Sequence, residues 1–174
     1  MTLVKNTGPR FTTAATLVLL VASTACGPEP TRGELISTSL SIASYARSVV
    51  SHGAVGAATT FSFPVLEIYN GAGTLVYRGQ ESLENARILR EMPSSMRGLP
   101  PQDNAPKLAG ILDAIPEFKA SRQKILGRGS PVVLSIGLEG CHACAIQEDA
   151  LDDVRGRMLR SSIDVLEIEV SSTR

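Results

Sequence analysis

PVVLSIGLEGCHACAIQEDALDDV, residues 131–154, places two cysteines three positions apart between two kinds of local pattern. Upstream, residues 131–137 are a short run rich in Val, Leu and Ile, the pattern of a buried strand. Downstream, Ala143, Ile146, Ala150, Leu151, Val154 and Met158 recur at helical spacing, which predicts a helix over residues 141–159 with that stripe buried. Residues 163–170 (IDVLEIEV) alternate apolar and acidic side chains, and predict a closing strand. The unit is strand, Cys-x-x-Cys, helix, strand.

A helix that starts at Cys141 gives that sulfur the positive end of the helix dipole and unpaired backbone N–H groups. Both favour the thiolate, which is the nucleophile in disulfide exchange. Cys144 lies one turn on, near enough to close a disulfide, and His142 adds a possible positive charge beside the first sulfur. Three chemistries suit such a pair: a redox dithiol, a metal clip and an inert disulfide. A disulfide closing so short a loop removes little chain entropy, so a purely structural bridge is disfavoured. Zinc would need two further ligands, and His52 is the one other evident nitrogen or sulfur donor. A c-type haem needs His directly after the second cysteine, where Ala145 stands. Cu(I) held by the two thiolates stays open. Glu148, Asp149, Asp152 and Asp153 read as a solvated face, and Asp153 with Arg157 as an i,i+4 pair on it.

Working outward, residues 63–69 (FPVLEIY) and 74–78 (TLVYR) are strand-like and flank Asn70-Gly71-Ala72-Gly73, a turn composition that predicts a hairpin. Those glycines are also half of a dinucleotide-binding fingerprint, but the third glycine and the following helix are missing. A helix is expected over residues 81–92, capped around Gln80 to Ser82 and stopped by Pro93. Residues 93–106 read as a Pro-rich linker. Helices over 107–115 and 116–126 follow, ended by Gly127 and Gly129. Between Glu34 and Ser51 the residues Leu35, Ile36, Leu40, Ala43, Val49 and Val50 approach helical spacing. They predict one more helix, closed by His52 and Gly53.

The Cys-x-x-Cys unit resembles the redox half of the thioredoxin-like fold, with Cys141-His142-Ala143-Cys144 where that family keeps its dithiol. The hairpin and the helix after it look like the other half, in which a cis-proline precedes the first hairpin strand. The resemblance implies an α/β fold with a mixed sheet and flanking helices, and the helix at 34–51 as the segment joining the halves. The order is rotated: the hairpin half (34–92) comes first, the helices and linker (93–130) next and the cysteine half (131–174) last. Either the domain is circularly permuted or halves pair between chains. The resemblance further implies Cys141 as attacking thiolate, Cys144 as resolving thiol, His142 as modulator, and Phe63 and Pro64 as backbone contacts for a protein thiol or disulfide substrate, with no metal and no cofactor. Gly140 replaces the aromatic that commonly precedes the first cysteine, and the chain has no Trp.

The amino terminus adds a compartment. Lys5 and Arg10 precede the apolar run AATLVLLVA (residues 14–22), then Ser23-Thr24-Ala25 and Cys26, so residues 1–25 read as a signal peptide and 26–33 as a polar tether. Ala25-Cys26-Gly27 resembles a bacterial lipoprotein signal with Cys26 lipidated, although Ser23 stands where a branched aliphatic is usual. Of three cysteines, lipidation would leave Cys141 and Cys144 as an even pair. The expectation is an exported, membrane-anchored lipoprotein on the extracytoplasmic or periplasmic face, with residues 34–174 as one domain. Seventeen basic and 17 acidic residues give no field that would draw nucleic acid. The rivals from other classes are a soft-metal-binding lipoprotein using the same sulfurs and a non-catalytic interaction lipoprotein.

Overall fold

In a computed structural model, which describes residues 32–51, 61–92, 100–102 and 107–172, the chain is α/β with a five-stranded mixed sheet and helices on both faces. The elements in order are β1 (Leu35–Ser41), α1 (Ile42–Ser51), β2 (Val65–Tyr69), β3 (Leu75–Gly79), α2 (Ser82–Glu91), α3 (Leu108–Ala114), α4 (Pro116–Arg128), β4 (Val132–Leu138), α5 (His142–Arg160) and β5 (Asp164–Ser171). Cys26, the rest of 1–31, His52 and Gly53, and most of the linker at 93–106 lie outside the described residues. Among the described residues no helix is long and apolar enough to cross a membrane.

The strand order is β1-β5-β4-β2-β3. β1, β5 and β4 run parallel, while β2 is antiparallel to both β4 and β3. The hairpin and the Cys-x-x-Cys unit therefore belong to one sheet, joined where Val65 pairs with Ile136 and Tyr69 with Val132. Period-two alternation sends successive side chains to two cores. Val65, Tyr69, Leu134, Ile136, Leu166 and Ile168 pack with α1, α3 and α4 on one face. Leu66, Ile68, Val133 and Val165 pack with α2 and α5 on the other.

The expected helix over 34–51 is corrected: its first half is β1. LISTSLS alternates half-buried Ile36, Thr38 and Leu40 with exposed Leu35, Ser37 and Ser39. The apolar spacing suits either period. Parallel pairing with β5 along its length satisfies the backbone in the extended form, where β-branched Ile and Thr fit well. Helix α1 then takes the remainder, with Tyr45 buried.

Several ends also shift. Cys141 caps α5 from outside the helix. Glu81, at the N-cap of α2, makes no side-chain cap bond. Pro116 opens α4 as expected, but Gly127 lies inside that helix, and left-handed Gly129 (φ 60°) ends it. The hairpin turn is held by Asn70 Oδ1, which accepts from the N–H groups of Ala72 and Thr74 at 3.0 Å.

Sequence patterning did not anticipate the buried Glu67, one residue outside the apolar logic of β2. It is 3% exposed, accepts a 2.6 Å hydrogen bond from Tyr69 Oη and sits 3.4 Å from Arg78, its partner across the hairpin. Burial and this carboxylate hold the Tyr69 and Tyr45 hydroxyls well above the ordinary tyrosine range, so both stay protonated. At the far end of the sheet, fully buried Asp164 accepts from Glu34 N–H (2.7 Å) and Arg128 (3.0 Å). These bonds pin the start of β1 to the start of β5. Because β1 and β4 run the same way, the chain comes into the sheet at the end opposite the cysteines.

Candidate functional site

The site forms where β4 stops. Gly140 takes a left-handed conformation (φ 74°), which turns the chain so that Cys141 N–H returns to Leu138 O at 3.0 Å. Cys141 and Cys144 are joined as a disulfide, with Cα atoms 5.2 Å apart. Cys141 is half-buried at the N-cap, and its Sγ accepts the Cys144 N–H at 3.2 Å, where the side chain of a capping Ser or Asp would accept. Cys144 is only 2% exposed, and its Sγ accepts the Leu138 N–H at 3.3 Å. The two sulfurs are thus unequal: one at the surface beside the N-terminus of a 19-residue helix, one enclosed.

The other residues expected at the site are placed as follows. Phe63-Pro64 is a cis peptide, and Pro64 is buried immediately before β2. Val65 pairs with Ile136, so continuing the antiparallel register sets Pro64 beside Gly137, at the end of β4 that carries the disulfide. Phe63 is half-buried, and its ring packs against Tyr45 at 5.8 Å between centroids, in the core on the α1 side. His142 is exposed at the first position of α5, and among the described residues nothing bonds to its ring. The structure brings Cys141, Cys144 and Pro64 to one end of the sheet; it turns Phe63 inward and His142 outward. Among the described residues no group of three or more His, Cys, Asp or Glu could hold a metal ion.

The buried stripe of α5 differs from expectation. Ala143 and Ile146 are only half-buried, and Cys144 and Gln147 take the inward positions with Ala150, Leu151, Val154 and Met158. The signal was present in the spacing: 144, 147, 151, 154 and 158 advance by three and four, and a polar residue occupies the second place. Gln147, 1% exposed, donates to Val65 O (3.1 Å) and to Ser135 Oγ (2.9 Å) and accepts from Asn85 Nδ2 (2.6 Å). Asn85 Oδ1 in turn accepts from Tyr77 Oη at 2.8 Å. This network links β2, β3, β4, α2 and α5, and Gln147 stands about one turn along α5 from Cys144.

On the wet face, Arg157 donates to Arg90 O (3.0 Å) instead of pairing with Asp153, and Arg155 bridges Asp152 and Glu167. Comparison with known proteins adds no family: no protein-family model, no curated protein and no solved structure matches the chain.

Proposed function

We propose that this protein is an exported thiol–disulfide oxidoreductase of thioredoxin-like fold in permuted order, exchanging the Cys141–Cys144 disulfide with disulfides or thiols of other proteins. The observation that carries this reading is the inequality of the two sulfurs: Cys141 at the surface on the N-cap of α5, Cys144 enclosed behind it. In the reduced protein the helix N-terminus favours the Cys141 thiolate. That thiolate attacks one sulfur of a partner disulfide, forming a mixed disulfide and releasing the partner's other sulfur as a thiolate. Cys144, as thiolate, then attacks Cys141 Sγ, closes the internal disulfide and expels the partner's remaining thiolate. Two electrons pass to the partner, and the reverse sequence oxidises it. The permuted reading is supported by the β2–β4 pairing, which joins the hairpin to the Cys-x-x-Cys unit within one chain and sets Pro64 at the level of Gly137.

The test is acceleration of insulin reduction by dithiothreitol, followed as B-chain precipitation. Wild type is expected to accelerate it and Cys141→Ser to have no effect. Equal traces for the two proteins would remove the redox reading and move Cu(I) binding by the same thiolates ahead.

The same reading includes lipidation of Cys26. A tether before β1 would leave from the end of the sheet opposite the disulfide, so an anchored domain presents Cys141 away from the bilayer. Cys26→Ser is expected to move the protein from the membrane to the soluble extracytoplasmic fraction. Wild type recovered soluble, with an unmodified N-terminal cysteine, would leave export without the anchor.

A further inference from the structure

On the face of the sheet that carries α5, helix covers only part of the surface. α5 lies over β4 and β5, and α2 packs beside α5 over the hairpin. On the same face, α5 reaches β5 through Val165 and Arg155, while beyond it Glu169 of β5 and Ser37 and Ser39 of β1 are exposed. Between this strip and α5 runs an open cleft of about 490 Å³, floored in part by Leu151 and Ser135. That volume is in the range of pockets that take a ligand or several side chains, roughly 300–1,000 Å³.

The cleft ends one residue short of the disulfide: Gly137 lines it and neither cysteine does. Gly137, in its wall, lies between the cleft and Cys144: a Cβ added there would come 2.9 Å from Glu148 Oε1 and 3.6 Å from Cys144 Cβ. The next residue, Leu138, donates its N–H to Cys144 Sγ. The cleft therefore ends at the carboxyl edge of the parallel strands, the edge at which open α/β sheets commonly receive ligands.

Its charge is one-sided although the whole chain is neutral, with 17 basic and 17 acidic residues. Among the described residues, Glu148, Asp152, Glu167 and Glu169 line the cleft against the single guanidinium of Arg155. Arg155 is already bound to Asp152 and Glu167, and Ser37 Oγ donates to Glu167 Oε2 at 2.7 Å. Among the described residues no cation pairs with Glu148 or Glu169, which stand at the end nearer the disulfide. Partial burial, then the neighbouring charges of Glu169, Glu167, Asp152 and Asp149, raise the Glu148 carboxyl above its ordinary range.

We propose that this cleft receives a lysine- or arginine-bearing segment of the protein whose disulfide is exchanged at Cys141, so that basic sequence flanking a disulfide selects the substrate. The proposal rests on the dithiol reading above. A cationic segment supplies the missing counter-charge at Glu148 and Glu169 while its neighbouring disulfide lies over Cys141.

The experiment uses the mature chain and two synthetic peptides with the same intrapeptide disulfide, one followed by three lysines and the other by three glutamates. Exchange rates are compared as the lysine-to-glutamate ratio within each protein, so a general change in reactivity cancels. Wild type is expected to favour the lysine peptide about tenfold at low ionic strength. The ratio should approach one in 1 M salt, where the Debye length is about 3 Å. It should also fall to within about twofold in Glu148→Gln/Glu169→Gln, and in Ser39→Lys, which places a fixed cation in the cleft by a different substitution. Equal rates for the two peptides with wild type, or a preference retained by both variants, would overturn the proposal.

If neither peptide exchanges at all, the dithiol reading fails. The cleft is then judged by fluorescence anisotropy with the lysine peptide bearing serines for cysteines. Weaker binding to both variants than to wild type keeps the basic-segment site, and equal binding overturns it. A concentration-dependent dimer dissociated by the same variants would assign the cleft to a second copy of the chain and also overturn the proposal.

Discussion

Cys144→Ser is expected to turn the protein into a trap that accumulates a mixed disulfide with its substrate through Cys141. Turnover should fall by on the order of a hundredfold or more, because each cycle stalls before resolution. In the proposed cycle Cys144 supplies the second sulfur from an enclosed position, 2% exposed and with its Sγ accepting the Leu138 N–H, where no bulky partner sulfur can reach it. Cys141 keeps its place at the head of α5 in the variant, and with it the dipole and the Cys144 position's N–H that stabilise the thiolate. Its thiolate absorbance should therefore titrate below the ordinary cysteine value of about 8.5. Cys141→Ser, by contrast, should give neither turnover nor adduct. Non-reducing gels after incubation with a disulfide substrate, followed by mass spectrometry, read both outcomes. Adducts of equal yield from the two variants would contradict the assigned roles, as would a Cys141 thiol in Cys144→Ser that titrates near 8.5.

Gln147→Ala is expected to lower unfolding stability by about 3–5 kcal/mol, since an unsatisfied buried polar group costs roughly 1–3 kcal/mol and the side chain has three partners. The groups stranded are Val65 O, Ser135 Oγ and the Asn85 amide, which Gln147 joins at 3.1, 2.9 and 2.6 Å. Asn85 also donates to Gly79 O at 3.3 Å and accepts from Tyr77, so its own loss breaks the same network from the other side. Asn85→Ala with Gln147→Ala should consequently cost less than the two singly, with a coupling of about 1 kcal/mol or more. Denaturant unfolding of the four proteins measures it. Additive effects, or a Gln147→Ala cost below about 1 kcal/mol, would mean that the network contributes little beyond packing.

The elements around the cysteines were readable because their signals are local. A Val/Leu/Ile run, a cysteine pair, a three-and-four spacing and an alternating strand each need only near neighbours, and β4, α5 and β5 form within a residue or so of expectation. The hairpin was equally local, since Asn70 closes its turn through its own side chain. Three features were settled by partners far away along the chain. LISTSLS fits a helix or a strand by spacing, and becomes β1 because β5, some 130 residues on, offers a parallel edge. Gln147 stands on the inward stripe by spacing, but it is satisfied as a buried junction only because α2 and β2 converge on it. The acidic face that the amino-acid pattern assigns to solvent became one wall of a cleft only when β5 turned Glu167 and Glu169 toward Glu148 and Asp152. Sequence by itself determined most of the local conformations and the place of the cysteine pair between a strand and a helix, because backbone propensity and side-chain periodicity are short-range. Tertiary structure decided strand pairing, polar burial and the charge of the cleft, because each depends on which distant segments meet.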